Sequence, residues 1–369
     1  NKDTGSLTVS VMGELDTMRK TYILDRGLYD KPTIPVRAAA IPAIMPFDTV
    51  NMPRNRLGLA EWTISKKNPL TARVFVNQMW QNFFGRGFVK TSGDFGMQGE
   101  LPSHPELLDW LAVDFMENDW DIKRLVRMIV MTSTYRQSTK TNPDKQGIDP
   151  ENVYLSHGPR TRIPAEMVRD VVLASSGLLV KEIGGPSVKP YQPKGLWESS
   201  TSGRGVLATY QQDHGDSLYR RGIYTFIKLT VPPPSMIIFD ASNRDQCEVK
   251  RLQTNTPLQA LVMMNDPLVW EASRVLAQNL LANEKSADIN IEKAFRKIIC
   301  RKPTKQETDI LKSYFDNQLS LFQNKTLSAE KALKVGEYPD KKNGDRNMQA
   351  ALMKTISAIY NLEEAITRT

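Results

Sequence analysis

The chain has 369 residues, with 49 Lys and Arg against 41 Asp and Glu for a formal charge of +8, and it is 40% hydrophobic and 24% charged. This length exceeds what one hydrophobic core usually covers, so a single large composite domain or two packed lobes is expected, and the balanced composition excludes a disordered or fibrous chain. The positive excess is thinly spread: no basic cluster is interleaved with stacking aromatics and no base-reading motif occurs, which sets nucleic acid aside as a partner.

No apolar run approaches the roughly 20 residues that cross a bilayer, so no membrane span is expected. The start, Asn1-Lys2-Asp3-Thr4-Gly5, is polar and has no initiating Met. It reads as a fragment or a processed product, with any export signal outside it.

Residues 1–55 are rich in Pro and β-branched residues, as in Thr8-Val9-Ser10-Val11 and Thr21-Tyr22-Ile23-Leu24, and predict an extended arm with short strands. Residues 56–182 form a first helical half. There Ser103-His104-Pro105-Glu106 has the S-x-x-E spacing of a capping box ahead of Leu107, Leu108, Leu111 and Phe115. After a break at Asn118-Asp119, the residues Ile122, Leu125, Val126, Ile129 and Val130 share one helical face, and the two helices are expected to form a hairpin. Pro164 starts a further helix with Met167, Val168, Val171, Val172 and Ser175 inward until Gly177 weakens it.

Residues 183–250 change character. Dense in Gly, Pro, Ser and aromatics, they predict an irregular insertion with one strand at Gly222-Ile223-Tyr224-Thr225-Phe226-Ile227 and a stop at Pro232-Pro233-Pro234 that no helix or central strand accommodates. Residues 251–369 form a second helical half. Thr256-Pro257-Leu258-Gln259 and Thr304-Lys305-Gln306-Glu307 are capping boxes, Asp266-Pro267 restarts a helix through Leu276 and Leu280, and a polar loop at 336–346 precedes a last helix ending near Glu364. The predicted fold class is mainly α, with a partly β insertion and an extended arm.

The cysteines Cys247 and Cys300 stand far apart with no CxxC or CxxCH; they are either one disulfide of an oxidising compartment or two unpaired core thiols. The histidines His104, His157 and His214 show no HxH, HxxxH or HExxH spacing, so neither haem nor zinc is expected and no cofactor is assigned. GxSxG, P-loop and dinucleotide fingerprints are also absent from the sequence, and Gly184-Gly185-Pro186 reads as a structural turn.

Several segments together resemble the C-terminal PSD-one domain, domain of unknown function 1553, of the planctomycete cytochrome C domain-containing proteins. They include Asn55-Arg56-Leu57-Gly58-Leu59-Ala60, Asn68-Pro69-Leu70-Thr71-Ala72-Arg73, Phe84-Gly85-Arg86-Gly87, and Asp94-Phe95-Gly96 leading to Pro102-Ser103-His104-Pro105-Glu106-Leu107-Leu108-Asp109-Trp110-Leu111. Ser133-Thr134-Tyr135-Arg136-Gln137-Ser138, Gly184-Gly185-Pro186-Ser187 and Thr254-Asn255-Thr256-Pro257-Leu258-Gln259-Ala260-Leu261 follow in order, so the likeness runs over about residues 10–366. It implies an exported protein, at the cell surface or in the periplasm, whose relatives carry signal peptides, cytochrome segments and links to polysaccharide use. It names no reaction. Asp16-Thr17-Met18, Asp48-Thr49-Val50 and Asp216-Ser217-Leu218 in turn resemble the short O-glycosylation signal of exported Bacteroidota proteins.

Any functional centre is sought among Arg160, Arg162, Arg169, Arg220, Arg221, Arg244 and Arg251, which crowd the middle of the chain beside Glu166, Asp170, Asp240, Asp245 and Glu248. Guanidinium groups bind carboxylates bidentately, which allows an internal ion-pair network. The alternative is an open cleft in which Arg162, Arg169, Arg220, Arg221 and Arg244 hold an acidic or sulfated glycan while Tyr224, Tyr210, Tyr219 or Trp197 stacks on the sugar. For catalysis the candidates are His104, Asp94, Glu166 and Asp240, within a wider set of Asp170, Glu198, Asp213, Asp216 and Asp245 from which a glycosidase pair would be drawn. Trp80, Trp110 and Trp120 read as core. The expected function is a non-catalytic scaffold or glycan-binding module, partnered by other domains of its polypeptide or surface complex. A hydrolase or lyase on acidic polysaccharide, and a docking domain for a cytochrome, are the alternatives.

Overall fold

The structure is a computed structural model that describes residues 9–368 except 16, 202, 203, 206, 243 and 343. Asn1 to Gly5, Thr8 and Asp16, together with Asn343 of the predicted loop, therefore lie outside the described residues. The chain is mainly α. In order it has β1 (Thr21–Leu24), β2 (Pro32–Val36), α1 (Arg56–Ile64), α2 (Thr71–Phe84), α3 (Pro105–Glu117), α4 (Ile122–Met131), α5 (Pro143–Ile148), β3 (Thr161–Arg162), α6 (Ala165–Ser176) and α7 (Leu196–Thr201). Then come α8 (Pro234–Ile238), α9 (Pro257–Asn265), α10 (Pro267–Asn283), α11 (Ala287–Ile299), α12 (Lys305–Gln323), α13 (Ala329–Leu333), α14 (Arg346–Tyr360), α15 (Glu363–Ile366) and β4 (Thr367–Arg368). No helix is long and apolar enough to cross a membrane among the described residues.

Two compact units emerge. The described residues up to Asn77 with His104–Leu125 make the first, and Gln78–Ser103 with Val126 onward the second.

In the first unit, β1 and β2 pair antiparallel into an exposed hairpin, as the Pro- and β-branched-rich arm predicts, whereas Val9 to Val11 form no strand. The Asn55 side chain accepts from Gly58 N–H at 3.1 Å and so starts α1 at Arg56, where the first helical half is expected to begin. The Trp62 indole donates to Met45 O at 2.9 Å, and Phe75 stacks on Phe115 at 5.0 Å. The helix start predicted at Ser103 is shifted: with Pro105 at its first position, α3 takes His104 as its N-cap residue. Of the predicted face, Leu108, Leu111 and Phe115 are buried and Leu107 is not. Trp110, expected in the core, is 56% exposed, because it lies on the opposite side of α3 from that face. At the break, Asp119 and Trp120 adopt positive φ, and Arg124 Nη2 donates to Asp114 Oδ1 at 3.0 Å, tying the start of α4 to the end of α3.

The second unit holds a large core. Its centre is α14, where Ala350, Leu352, Met353, Ile356, Ile359 and Tyr360 have no exposed surface, and α10, α11, α12 and α13 pack around it. Leu352, Met353, Ile356 and Ile359 each contribute about 1.5–3 kcal/mol by burial. The predicted starts hold here: Asp266 accepts from Leu268 N–H at 2.8 Å before α10, and Thr304 and Glu307 bond each other's backbone N–H at 3.3 and 2.7 Å before α12. Gly177 ends α6 rather than weakening it, with φ +86 and its N–H on the carbonyls of Leu173 and Ala174.

Two predictions in the insertion are corrected. Residues 222–227 form no strand: a 3-10 turn covers Gly222–Tyr224, and Thr225 makes only an isolated bridge with Val188. The cause is tertiary. Gly222 lies against α6, where a Cβ would stand 2.5 Å from Glu166 O, and its N–H bonds Asp170 Oδ1 at 2.6 Å, so the chain curls along the helix instead of extending. The proline run also starts a helix, because Pro234 occupies the first position of α8, where no N–H is needed.

Candidate functional site

The centre of the second unit is built from α6, the insertion and the start of α9 and α10, and it is where the arginines meet their partners. Arg162, from β3, donates to Asp240 Oδ2 at 2.7 Å and to the Gln259 side-chain oxygen Oε1. Thr254 adds its N–H at 2.7 Å and its hydroxyl at 2.9 Å to the same carboxylate. Burial alone would push the Asp240 carboxyl up; the Thr254 N–H and Arg162 outweigh it and hold the group below the usual range. Gln259 also accepts from Thr256 N–H at 3.2 Å, so one side chain caps α9 and anchors Arg162.

The other arginines are likewise engaged. Arg169 donates to the carbonyls of Leu218 and Arg220. Arg220 is 5% exposed, reaches the carbonyls of Glu182, Gly184 and Pro186, and lies 3.9 Å above the Tyr224 ring. The Tyr224 hydroxyl accepts from Gly184 N–H at 2.8 Å, which makes the Gly184-Gly185-Pro186 turn a clasp around Arg220. Arg221 pairs with Asp170 at 3.4 Å, and Arg251 with Glu166 at 2.7 Å. Desolvation works against ionising Glu166, and the Arg251 hydrogen bond, with a backbone N–H and the nearby charges, outweighs it and holds the carboxyl low. Arg244 is exposed, with positive φ, and Arg160 pairs with Glu363 in the open.

The remaining candidates are dispersed. Asp94 belongs to the second unit and accepts from Gly96 N–H at 2.8 Å in a turn, whereas His104 belongs to the first. His157 bonds Gly158 O, and His214 bonds Glu337 at 2.8 Å on the surface. Asp213 accepts from Lys189 N–H at 2.7 Å and Glu198 from Tyr210 N–H at 3.3 Å. Of the proposed stacking rings, Trp197 and Tyr219 are buried and offer no face to a sugar. No group of three His, Cys, Asp or Glu side chains among the described residues is placed to hold a metal ion. Cys247 and Cys300 are unbonded, and both are exposed rather than core thiols.

What the arrangement leaves open is a cavity of about 50 Å³ between α6, the insertion and the start of α10. Val168, Val172, Met236, Phe239, Val262 and Met263 give it an apolar wall; Arg169, Tyr191, Gln192, Thr225, Ser235 and Asp266 supply its polar groups. Thr225, 4% exposed, has a hydroxyl with no hydrogen-bond partner among the described residues, and Gln192 Nε2 is in the same position. Other buried polar atoms, among them Ser156 Oγ and Gln349 Nε2, also lack a partner among the described residues, but these two donors face one cavity, where an acceptor can reach both. Burial pushes the Asp266 carboxyl up, against the opposing pull of Leu268 N–H and the Arg169 charge. Burial lowers the Arg169 guanidinium, with Asp266 its foremost compensating charge.

Of these residues only Arg169 stands out in the sequence as a site candidate. Asp266 reads there as a helix cap, which it is, and Gln192 and Thr225 carry no local signal, because the cavity is assembled from segments a hundred residues apart.

Comparison with curated proteins yields no match, and comparison with solved structures yields none. A family model described as "PSD1: Protein of unknown function (DUF1553)" matches residues 55–315, more than two thirds of the chain, and the chain belongs to this family.

Proposed function

We propose that the chain is a non-catalytic scaffold module of a larger extracytoplasmic protein linked to polysaccharide use, and that it binds a small ligand in the cavity beside α6. The observation that carries this reading is the closure of the arginine–carboxylate centre. Arg169 holds the insertion onto α6, Arg162 links it to α9 through Gln259, Arg220 fastens the insertion to its own start, and Glu166, Asp170 and Asp240 are paired or hydrogen-bonded there. Groups so engaged serve to fix an irregular segment that has little regular backbone pairing of its own. The extracytoplasmic, polysaccharide-linked setting rests on the family resemblance.

An enzymatic reading has one observation in its favour: Asp266 is a carboxyl raised by burial, in a cavity, with a cation beside it. A turnover screen of the full chain on acidic and sulfated polysaccharides, run with a fragment-binding screen, separates the two. Binding without turnover is expected. Turnover that disappears in Asp266→Asn at unchanged thermal stability would replace the scaffold reading with the enzymatic one.

A further inference from the structure

We infer that the cavity beside α6 takes a short-chain monocarboxylate, its head held by the Arg169 guanidinium, the Thr225 hydroxyl and the Gln192 amide and its tail against Val172 and Met236. The inference rests on the reading of the chain as a ligand-binding module and adds the chemistry of the ligand.

Size comes first. The cavity is small, about 50 Å³, and suits a short-chain acid such as propionate. Charge and hydrogen bonding decide the head. Thr225 Oγ1 and Gln192 Nε2 are both donors without a partner among the described residues, and both need an acceptor. A carboxylate offers two acceptor oxygens and the negative charge that a guanidinium matches best. Asp266 lines the same cavity, and burial raises its carboxyl, which lessens its opposition to an anion beside Arg169. The apolar wall accounts for the tail, because each methylene moved from water onto it contributes about 0.8 kcal/mol.

The test uses the full chain with ¹³C-labelled methionine methyls, since Met236 and Met263 both line the cavity. Propionate is titrated against propionamide and 1-propanol, molecules of similar size without the charge. Propionate is expected to shift the Met236 and Met263 signals saturably and at least about tenfold more tightly than either neutral probe, the ratio that 1.4 kcal/mol of charge recognition gives. Arg169 also holds two backbone carbonyls, so its removal endangers folding. Thr225→Val is the gentler probe and should weaken propionate about fivefold with the other methyl signals in place. Val262→Phe should abolish binding by filling the space. Equal binding of the neutral probes, or an unaffected Thr225→Val, overturns the carboxylate and leaves a ligand-binding module standing. If no probe moves either methionine, the cavity reading itself falls.

Discussion

The Arg162 guanidinium and the Asp240 carboxylate meet at 2.7 Å with side chains only 10% and 16% exposed, joining β3 to the segment after α8. Asp240 adopts a φ of +57, which Asn tolerates as well as Asp, so Asp240→Asn removes the charge without altering the backbone preference. It leaves a nearly buried guanidinium without its counter-charge, and we expect a loss of about 3 kcal/mol in urea-induced unfolding. Arg221→Ala, which breaks a half-exposed pair at 3.4 Å, should change stability by less than about 1 kcal/mol. Equal effects would refute this division between buried and surface pairs.

The start of the 336–346 segment is docked rather than free, because Glu271 Oε1 accepts from Tyr338 N–H at 2.7 Å and from the Tyr219 hydroxyl at 3.0 Å. Gly336 makes the approach possible: it has φ +71, and a Cβ there would stand 2.0 Å from Glu271 Cδ. Gly336→Ala should lower stability by at least about 2 kcal/mol and expose the segment to proteolysis. Wild-type protection of Tyr338 N–H in the variant, read by hydrogen exchange, would contradict this.

Arg301 bridges Glu307 and Glu364 at 2.5 and 2.7 Å. Its hydrogen bonds are the main cause that brings Glu307 from 4.5 down to about 2. A carboxyl lowered on folding stabilises above its unfolded pKa and loses that contribution as pH falls through the folded one. Wild type should therefore lose stability relative to Glu307→Gln between about pH 4.5 and pH 2, by a modest amount because these side chains are about one-third exposed. A difference in Tm that stays constant over that range would show that the pair does not contribute.

Cys247 and Cys300 are both exposed and unbonded. The native chain should react with a thiol reagent at two sites without denaturant, and mapping should place one label on each. Protection of both cysteines in the native state, released by reductant, would show a bond between them instead.

The helical elements were legible because their signals are local. Asp266 before Pro267, and Thr304 with Glu307, satisfy orphan backbone groups within one turn, and that chemistry needs no distant partner. Where a local signal competes with packing it misleads. The alternating run at Gly222 to Ile227 has strand-like residues, yet Asp170 and α6 claim its backbone. Trp110 has a core-like side chain but occupies the outer side of α3.

For the site, the sequence by itself determined the inventory: a central excess of arginines and carboxylates and no haem, zinc or nucleotide motif. Only the tertiary structure decided which of these groups bind one another and which face the cavity. Arg162 and Asp240 are 78 positions apart, and Gln192, Thr225 and Asp266 meet Arg169 only when the insertion folds onto α6. Pairing of charges depends on distance and desolvation in space, and neither is encoded in the spacing of residues along the chain.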